Sequence, residues 1–303
     1  MRRVELVRLV VAALVGSLVL LGCSAGADTV DDVKRQTQDF ADAASPRFGK
    51  YVALGDSYTA APLVPNTDLA NGCFRSDNNY PHLVADQLDI DKLVDVSCSG
   101  AETGDLTHRQ HTVGDATVRP QLAAVTRDTD LVTLGIGGND FDLFHTLVAT
   151  CSRLRREDPA GSPCARTLAA RGVRLVAETR QISARVERSV RMIQRRAPKA
   201  TVVLVGYLRL VPTTGRCPGL AFAQGDYAFG TRVSTALNAA IERAARRTGS
   251  RFVDMYAASA GHDVCADVPW VNGRQTVQGE ALAYHPFAAG QDAVAEELVK
   301  VLG

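Results

Sequence analysis

The residues most able to do chemistry lie in three short polar turns, each of which directly follows an apolar stretch. The turns are Gly55-Asp56-Ser57, Cys98-Ser99-Gly100 and Gly137-Gly138-Asn139-Asp140. A serine hydroxyl can attack an ester carbonyl when a base removes its proton, and N–H groups can stabilise the oxyanion that forms. Ser57 could supply the hydroxyl and its own N–H, while Gly100 and Asn139 could supply further donors. This combination predicts acyl transfer by a serine nucleophile.

Each of these turns has a simpler interpretation when it is taken alone. Gly-Asp-Ser also occurs as a plain turn that caps a helix, because Asp and Ser favour helix starts. The turn at Gly100 could be no more than a tight turn. Gly137-Gly138 could belong to a phosphate-binding loop, but no complete G-x-G-x-x-G motif is present. The next apolar residues, Phe141, Leu143 and Phe144, could line an acyl pocket or belong to the core.

A general base for the serine must come from one of six histidines. His285 is favoured because Pro286 and an amphipathic helix follow it, which would hold the ring at a rigid helix start near the sheet edge. His262 is the second candidate, although it lies in a stretch expected to be flexible. The remaining four are predicted to be structural, pocket-lining or surface residues: His82, His108, His111 and His145.

Strands and helices alternate from Phe48 onwards, which predicts one doubly wound α/β domain with a parallel sheet covered on both faces. Ligands of such folds bind at the carboxyl edge of the sheet, where the three turns would meet. The predicted strands are 51–54, 93–97, 130–136, 200–207 and 251–256. The predicted helices are 80–88, 121–125, about 165 to 198, about 229 to 249, and 287 towards the C-terminus.

Residues 1–22 have the pattern of an export signal. Arg2, Arg3 and Arg8 precede the uncharged run Leu9–Leu21, which is too short for an ordinary transmembrane helix. The run ends in Leu20-Leu21-Gly22-Cys23, which resembles a bacterial lipobox, so Cys23 is the expected lipidation site and the new N-terminus. A plain signal peptide cleaved near Ala25 or Ala27 is the alternative.

Residues 23–47 are polar and are predicted to be a tether between the lipid anchor and a catalytic domain at 48–303. The net charge of the chain is +1, so nothing in its composition favours nucleic acid as a partner. The expected partners are an ester substrate and, through the anchor, a membrane. The chain is expected to be a monomer.

The cysteines also fit an exported protein. Apart from Cys23, six remain, and an even number in an exported chain predicts three disulfides, although spacing alone does not choose their pairing. A zinc site is the competing interpretation, but no spacing typical of zinc ligands occurs, so no metal is expected. The six are Cys73, Cys98, Cys151, Cys164, Cys217 and Cys265.

Taken in order, four blocks resemble the SGNH, or GDSL, hydrolase family: Gly55-Asp56-Ser57-Tyr58, Gly100, Gly138-Asn139-Asp140 and His285-Pro286. The similarity extends from about Phe48 to the C-terminus. The resemblance implies a flavodoxin-like three-layer α/β/α sandwich, in agreement with the five predicted parallel strands, and no cofactor. It implies that Ser57 is the nucleophile and His285 the base, and that Ser57, Gly100 and Asn139 form the oxyanion hole.

Ser97-Cys98-Ser99-Gly100-Ala101 and the six cysteines are similar to the secreted bacterial lipase and esterase branch of that family. The branch implies sequential disulfides, namely Cys73–Cys98, Cys151–Cys164 and Cys217–Cys265. Many family members carry an Asp three residues before the histidine, where this chain has Leu282. The branch implies that a backbone carbonyl at Leu282 orients the imidazole instead.

These expectations combine into a lipid-anchored serine lipase or esterase, which acts on lipid or short-chain esters through an acyl-enzyme. The protein would be exported, and it would lie at the outer face of the cell membrane or be secreted. A deacetylase of glycans or cell-wall esters is one alternative. A non-catalytic lipoprotein that binds lipid or carbohydrate is another, although the presence of Ser57, Asn139 and His285 together argues against it.

Overall fold

The computed structural model describes residues 48–213 and 215–303. The predicted signal peptide, the lipidation site Cys23 and the tether at 23–47 lie outside the described residues. In the part of the chain that is described, no helix combines the length and the apolar character needed to cross a membrane.

A five-stranded sheet forms the centre of the domain, and two small hairpins flank it. The sheet order is β4-β1-β7-β8-β9, and all neighbouring strands are parallel. This order corresponds to the 2-1-3-4-5 order of flavodoxin-like folds, so the predicted five-stranded parallel sheet is confirmed. The strands are β1 (Lys50–Gly55), β2 (Thr67–Asp68), β3 (Arg75–Ser76), β4 (Lys92–Asp95), β5 (Gln110–His111), β6 (Thr117–Val118), β7 (Leu131–Gly135), β8 (Thr201–Val205) and β9 (Arg251–Val253).

Helices cover both faces of this sheet, which confirms the three-layer α/β/α sandwich. Helix α5 (Leu175–Arg196) packs against α6 (Tyr227–Thr248) in one layer, and α2 (Tyr80–Gln87) packs against α8 (Ala288–Leu302) in the other. The helices are α1 (Ser57–Ala60), α2 (Tyr80–Gln87), α3 (Leu143–Leu154), α4 (Pro163–Ala170), α5 (Leu175–Arg196), α6 (Tyr227–Thr248), α7 (Met255–Ala258) and α8 (Ala288–Leu302).

The two central strands are buried along their whole length. Every residue of β1 and of β7 is buried, because helices cover the sheet on both sides. The polar side chains at the centre bond to each other, as in the 2.7 Å hydrogen bond between the hydroxyls of Tyr51 and Thr133. The turns that follow β1 and β7 therefore start from a rigid part of the molecule.

The helical segment expected from about 165 to 198 consists of two helices. Gly172 adopts a left-handed conformation, with φ of 74°, between the end of α4 and the start of α5. Ile182 and its buried neighbours on α5 form the predicted apolar stripe. The stripe is correct for α5, but the helix does not continue through the glycine.

Helix α3 has no counterpart among the predicted helices, although its pattern is present in the sequence. Its buried residues recur every three or four positions, at Leu143, Leu147, Cys151 and Leu154. This spacing is typical of an amphipathic helix. Helix α3 matters for function because it runs away from the turn that contains Asn139.

Three disulfides brace the loops of the described domain. Their pairs are those implied by the family resemblance: Cys73–Cys98, Cys151–Cys164 and Cys217–Cys265. The first joins the loop after β1 to the turn that contains Gly100, and the second joins α3 to α4. Such bridges are typical of proteins that fold in an oxidising compartment.

Candidate active site

Backbone hydrogen bonds join the three polar turns at the carboxyl edge of the sheet. The N–H of Asp56 donates to the carbonyl of Gly135 at 3.0 Å, and the N–H of Cys98 donates to the carbonyl of Gly55 at 3.0 Å. The turn after β1 is thereby held between the turns after β4 and β7. This is the switch point of the sheet order, where open α/β folds bind their ligands.

The turn before Ser57 requires a glycine at position 55. A Cβ atom on Gly55 would lie 2.2 Å from Oγ1 of Thr59 and 2.7 Å from the carbonyl oxygen of Gly135. Asp56 then caps α1, since its side chain accepts from the N–H of Tyr58. Ser57 is consequently the first residue of the helix, with its side chain largely buried at the edge of the sheet.

His285 lies directly against Ser57. Its Nε2 is 2.8 Å from Oγ of Ser57, and its Nδ1 is 2.8 Å from the carbonyl oxygen of Ala283. Because a carbonyl can only accept a hydrogen bond, Nδ1 must carry the proton in the neutral ring. Nε2 is then free to accept the proton of the Ser57 hydroxyl, which is the tautomer that a general base for serine needs.

The carbonyl that orients the ring belongs to Ala283, so the expectation for Leu282 is wrong. The carbonyl of Leu282 accepts instead from the backbone N–H of His285 at 3.1 Å and from Nδ2 of Asn272 at 3.2 Å. Tyr284, with φ of 61°, adopts a left-handed conformation inside this turn. The turn thus directs the carbonyl of Leu282 towards backbone and leaves that of Ala283 facing the imidazole.

Contacts from two other segments of the chain hold the histidine turn. The hydroxyl of Tyr58, on α1, donates to the carbonyl of Tyr284 at 2.8 Å, which ties the serine helix to the histidine turn. The N–H of Asn272 donates to the carbonyl of His285 at 2.8 Å. Helix α8 begins at Ala288, so His285 precedes the helix instead of standing at its cap. The ring is therefore positioned by the turn and its contacts.

Desolvation of the half-buried imidazole favours its neutral form. Desolvation lowers the pKa of His285 to about 4, and the hydrogen bond to the carbonyl of Ala283 opposes this shift. Among the residues that the structure describes, no carboxylate forms an ion pair with the ring. A positive charge on His285 would thus have a neutral carbonyl as its partner.

The three predicted oxyanion donors belong to turns that contact one another. Asn139 donates through Nδ2 to the carbonyl of Ala101 at 3.0 Å, which brings its amide beside the turn of Gly100. Gly100 has φ of 78°, a conformation that glycine adopts at little cost. The N–H of Ser57, at the start of α1, has no acceptor within its own helix. This arrangement can direct several donors at one oxygen atom.

Tyr207 is a part of the site that the sequence pattern did not identify. It follows β8, and its hydroxyl accepts from the N–H of Gly138 at 2.7 Å and donates to Oδ2 of Asp56. The turns after β1 and β7 are thus connected through one buried phenol. A tyrosine directly after a buried strand was the available signal, but nothing in the sequence showed which turns its hydroxyl would reach.

The carboxyl group of Asp56 is buried beneath the predicted nucleophile. Desolvation raises the pKa of Asp56 to about 7, although the hydrogen bonds from Tyr207 and from the N–H of Tyr58 oppose the shift. These hydrogen bonds join the carboxyl group to its own turn and to the residue after β8. Its role in this structure is therefore to hold the turn.

A second buried carboxylate holds the turn that carries Asn139. Asp140 accepts from the N–H and the hydroxyl of Thr103, at 2.8 and 2.6 Å, and pairs with Nη1 of Arg185 at 3.0 Å. Arg185 also lies over the ring of Phe141, 4.0 Å from its centroid. The turn of Asn139 is therefore connected both to the loop after Gly100 and to helix α5.

A small apolar pocket of about 60 Å³ opens beside Ser57 and His285. Phe144, Val148 and Leu210 form its apolar wall. Of the three residues considered for an acyl pocket, only Phe144 lines it, since Leu143 is fully buried in the core and Phe141 packs beneath Arg185. The pocket accommodates a small apolar part of an ester next to the serine.

The other histidine considered as a base lies outside this site. The ring of His262 stacks on Trp270 at 4.0 Å, and its Nδ1 is 2.8 Å from the carbonyl of Val268. Within the described ranges, no group of His, Cys, Asp and Glu residues has the arrangement of a metal site.

Several known proteins are similar to this chain in sequence and in fold. Residues 53–293 match the GDSL-like Lipase/Acylhydrolase family. Lipase 2 of Streptomyces coelicolor is 37% identical over 264 residues, which cover 84% of this chain and 85% of that protein. The crystal structure of phospholipase A1 from Streptomyces albidoflavus NA297 superposes with a TM-score of 0.69 at 29% identity, covering 84% of this chain and 99% of that one. The crystal structure of an extracellular lipase from Streptomyces rimosus also superposes with a TM-score of 0.69. It is 30% identical, and the match covers 83% of this chain and 99% of that one.

Proposed function

The chain belongs to the GDSL-like Lipase/Acylhydrolase family, and on this basis we propose that Ser57 and His285 carry out its reaction. It is a carboxylic-ester hydrolase of the lipase and esterase class. The observation that supports the two assignments is the 2.8 Å contact between Oγ of Ser57 and Nε2 of His285, in a ring whose Nδ1 bonds a backbone carbonyl.

Acylation begins when Nε2 of His285 accepts the hydroxyl proton of Ser57 and Oγ attacks the ester carbonyl. The carbonyl oxygen becomes an oxyanion, which the N–H groups of Ser57 and Gly100 and the side-chain amide of Asn139 stabilise. The tetrahedral intermediate then collapses. Nε2 of His285 gives its proton to the leaving alkoxide, and the acyl group remains on Oγ of Ser57.

Deacylation repeats these proton transfers with water as the nucleophile. His285 accepts a proton from water, the hydroxide attacks the acyl-enzyme, and the proton returns to Oγ of Ser57 as the carboxylic acid leaves. During both steps the imidazolium is stabilised by the neutral carbonyl of Ala283, which offers less charge stabilisation than an aspartate would. The site is therefore a Ser57–His285 dyad, in which the backbone carbonyl of Ala283 takes the place of a triad acid.

Labelling by a fluorophosphonate probe tests the nucleophile. Wild-type protein should be labelled on Ser57 and lose hydrolysis of a short-chain p-nitrophenyl ester in step with labelling. Ser57→Ala should remain folded, resist labelling and lose almost all activity. Ser250→Ala, which changes a serine before β9 at the opposite edge of the sheet, is the matched control and should behave as wild type. Labelling of a different serine would refute the assignment.

The amide of Asn139 has a separate test, because it acts only on the oxyanion. Asn139→Ala should lower kcat by about 10²–10³ while KM changes little. Asn139 also donates to Ala101, so circular dichroism and a thermal melt must show that the fold is retained. A decrease in kcat of less than about tenfold would remove Asn139 from the oxyanion hole.

We further propose that the chain is exported and anchored. Residues 1–22 would act as a lipoprotein signal peptide, Cys23 would carry the lipid, and 23–47 would tether the monomeric catalytic domain at 48–303. Three disulfides in the domain support export, since such bonds persist in oxidising compartments. All six domain cysteines are then paired, which leaves Cys23 for another use.

Mass spectrometry of the N-terminus decides between the two exported forms. An acylated Cys23 as the first residue is the expected result, and two or more acyl chains would give stable anchoring where one would be marginal. An unmodified N-terminus after Cys23 would show a secreted protein without an anchor. Cys23→Ala should release the protein from the membrane fraction without changing its specific activity.

A further inference from the structure

A large groove continues from the small pocket beside Ser57. Val148 and Tyr284 line the pocket and also the first part of this groove, which has a volume of about 520 Å³. Arg155, Pro159 and Arg274 are shared in turn with a second part, of about 600 Å³. These two parts, from Val148 and Tyr284 to the arginines, are called the arginine groove below.

The charged residues that line the arginine groove are all positive. Among the described residues that line it are four exposed arginines and no Asp or Glu. In the described part of the chain, none of the four lies within 4.0 Å of a carboxylate, and the guanidinium of Arg216 bonds the neutral side chain of Gln224. The four are Arg155, Arg156, Arg216 and Arg274.

The acidic residues near the groove already pair with other arginines. Glu157 pairs with Arg153, and Asp158 pairs with Arg166. The groove arginines are therefore left with positive charge that the protein does not neutralise locally. Ser152 also lines one wall, and its buried hydroxyl has no hydrogen-bond partner among the residues described. A bound anion would meet positive charge that no carboxylate of the described residues neutralises.

Disulfides and backbone contacts fix the backbone positions of three of these arginines. The N–H of Arg155 donates to the carbonyl of Cys151, whose side chain is bonded to Cys164. Arg216 directly precedes Cys217, which is bonded to Cys265, and the N–H of Arg274 donates to Gly219 at 2.9 Å. Like charges held close together repel one another, and an anion that enters the groove removes this repulsion. The planar guanidinium matches phosphate in geometry as well as in charge.

The position of His285 indicates which part of an ester reaches the groove. Because Nε2 donates a proton to the leaving alkoxide, the alcohol part of the substrate must lie on the imidazole side of the reacting carbon. Tyr284 is the neighbour of His285 and lines both the pocket and the groove. Val148 lies on α3 and Arg155 follows its last residue, so the two are seven positions apart, or roughly 10 Å along the helix axis. A group attached to the alcohol could bridge this distance.

We propose that the arginine groove binds the phosphate of an ester lipid whose alcohol part is phosphorylated. The preferred substrate is then a glycerophospholipid with an anionic headgroup, instead of a neutral glyceride. Hydrolysis adds the OH of water to the acyl carbon and the H to the glycerol oxygen, which yields a fatty acid and a lysophospholipid. This inference rests on the proposed function, because it takes Ser57 and His285 as the reacting groups.

Two short-chain substrates that differ only in the headgroup test this inference. Dihexanoyl phosphatidylglycerol and dihexanoylglycerol are compared as monomers, below the concentrations at which they aggregate, so that surface binding has no effect. Wild-type protein should have the higher kcat/KM for the phospholipid. The double variant Arg155→Gln, Arg274→Gln should lose at least roughly tenfold in kcat/KM on the phospholipid and stay within about twofold on the neutral ester.

A double variant away from the groove controls for the change in total charge. Arg171→Gln, Arg195→Gln removes two exposed arginines that line neither part of the groove, and it should leave both values as in wild type. Equal losses on both substrates, or none on either, would overturn the inference. So would a loss seen only with phosphatidylglycerol vesicles and not with monomers, because the arginines would then serve attachment to a surface.

The same assay separates this inference from the proposed function. Ser57→Ala should abolish hydrolysis of both substrates. If Ser57→Ala still hydrolysed the neutral ester, the proposed function would fail. If Ser57→Ala were inactive and the groove variant left the ratio of the two substrates unchanged, only the assignment of the groove would fail.

Discussion

Ser57 and His285 meet without an acidic side chain behind the imidazole, and this affects how the site responds to pH. The ring bonds the carbonyl of Ala283, which does not titrate, so no negative charge paired with the ring favours its protonated form within the described residues. Desolvation lowers the pKa of His285 to about 4, whereas a carboxylate beside the ring would raise the pKa of a histidine. Nε2 thus remains an acceptor for the hydroxyl of Ser57 in mildly acidic solution.

The first prediction concerns the acid limb of the pH profile. In kcat/KM for a neutral ester, activity should fall as pH decreases through about 4, and it should change little between pH 5.5 and 7. His262→Asn is the matched control, because His262 stacks on Trp270 outside the site, and its profile should match that of wild type. A limb centred near the ordinary histidine value of about 6.5 would contradict the prediction.

The sequence predicted which residues come together at the candidate site better than it predicted their contacts. The order of the motifs predicts that Ser57 and His285 come together, since both lie next to predicted strand ends or helix starts. It could not select Ala283 over Leu282, because that choice depends on the left-handed conformation of Tyr284. Tyr207 was missed for a similar reason, as its hydroxyl acts across two loops far apart in the chain.

Among the secondary-structure elements, the strands were easier to predict than the helices. Buried parallel strands appear as short apolar runs between turn residues, and all five were found at nearly the observed places. The apolar stripe predicted along α5 was also correct. The same periodicity continues across Gly172, however, where the backbone turns and the predicted single helix divides into two. Periodicity describes which face is buried, and it does not show where the chain changes direction.

The second prediction concerns the disulfide beside the oxyanion turn. Removing Cys73–Cys98 by Cys73→Ser, Cys98→Ser should cost about 2–4 kcal/mol in the free energy of unfolding. It should also lower kcat on a neutral ester, because the N–H of Ser99, next to Gly100, donates to the carbonyl of Cys73. Urea unfolding and initial rates measure the two effects.

The matched comparison is Cys151→Ser, Cys164→Ser, which removes the bridge between α3 and α4. That variant should lose stability by a similar amount and keep its kcat on the neutral ester, since neither cysteine adjoins an oxyanion donor. If both double variants lost activity in parallel with stability, the bridge at Cys73 would have no separate effect on the site.

At the scale of the whole domain, the buried carboxyl of Asp56 and the half-buried imidazole of His285 affect stability with opposite dependence on pH. Asp56 has a raised pKa of about 7, so between pH 4 and 7 the folded protein holds a proton that the unfolded chain has lost. Stability therefore decreases as pH rises through this range. His285 has a lowered pKa of about 4, so between 4 and 6.5 the unfolded chain binds the extra proton, and stability increases with pH.

The third prediction separates these contributions. Asp56→Asn cannot titrate, so its stability relative to wild type should improve as pH rises from 4 to 7, by a total on the order of 4 kcal/mol. The free energy of unfolding is measured in urea at four pH values across this range. Ser250→Ala, which changes no titratable group, should differ from wild type by the same amount at every pH. Parallel curves for Asp56→Asn and wild type would refute the prediction.

The crowding around Gly55 also limits how this enzyme can diverge by mutation. A side chain there would meet Thr59 and also the backbone of β7, so no prior change of a neighbouring side chain opens the position. Gly100 differs, because the nearest atom to an added Cβ is 3.9 Å away and only its positive φ limits replacement. Because asparagine tolerates that conformation, a single substitution of Gly100 by asparagine is compatible with the fold. At Gly55, in the turn before Ser57, every single substitution meets the backbone of β7, so the position should stay glycine in every active descendant.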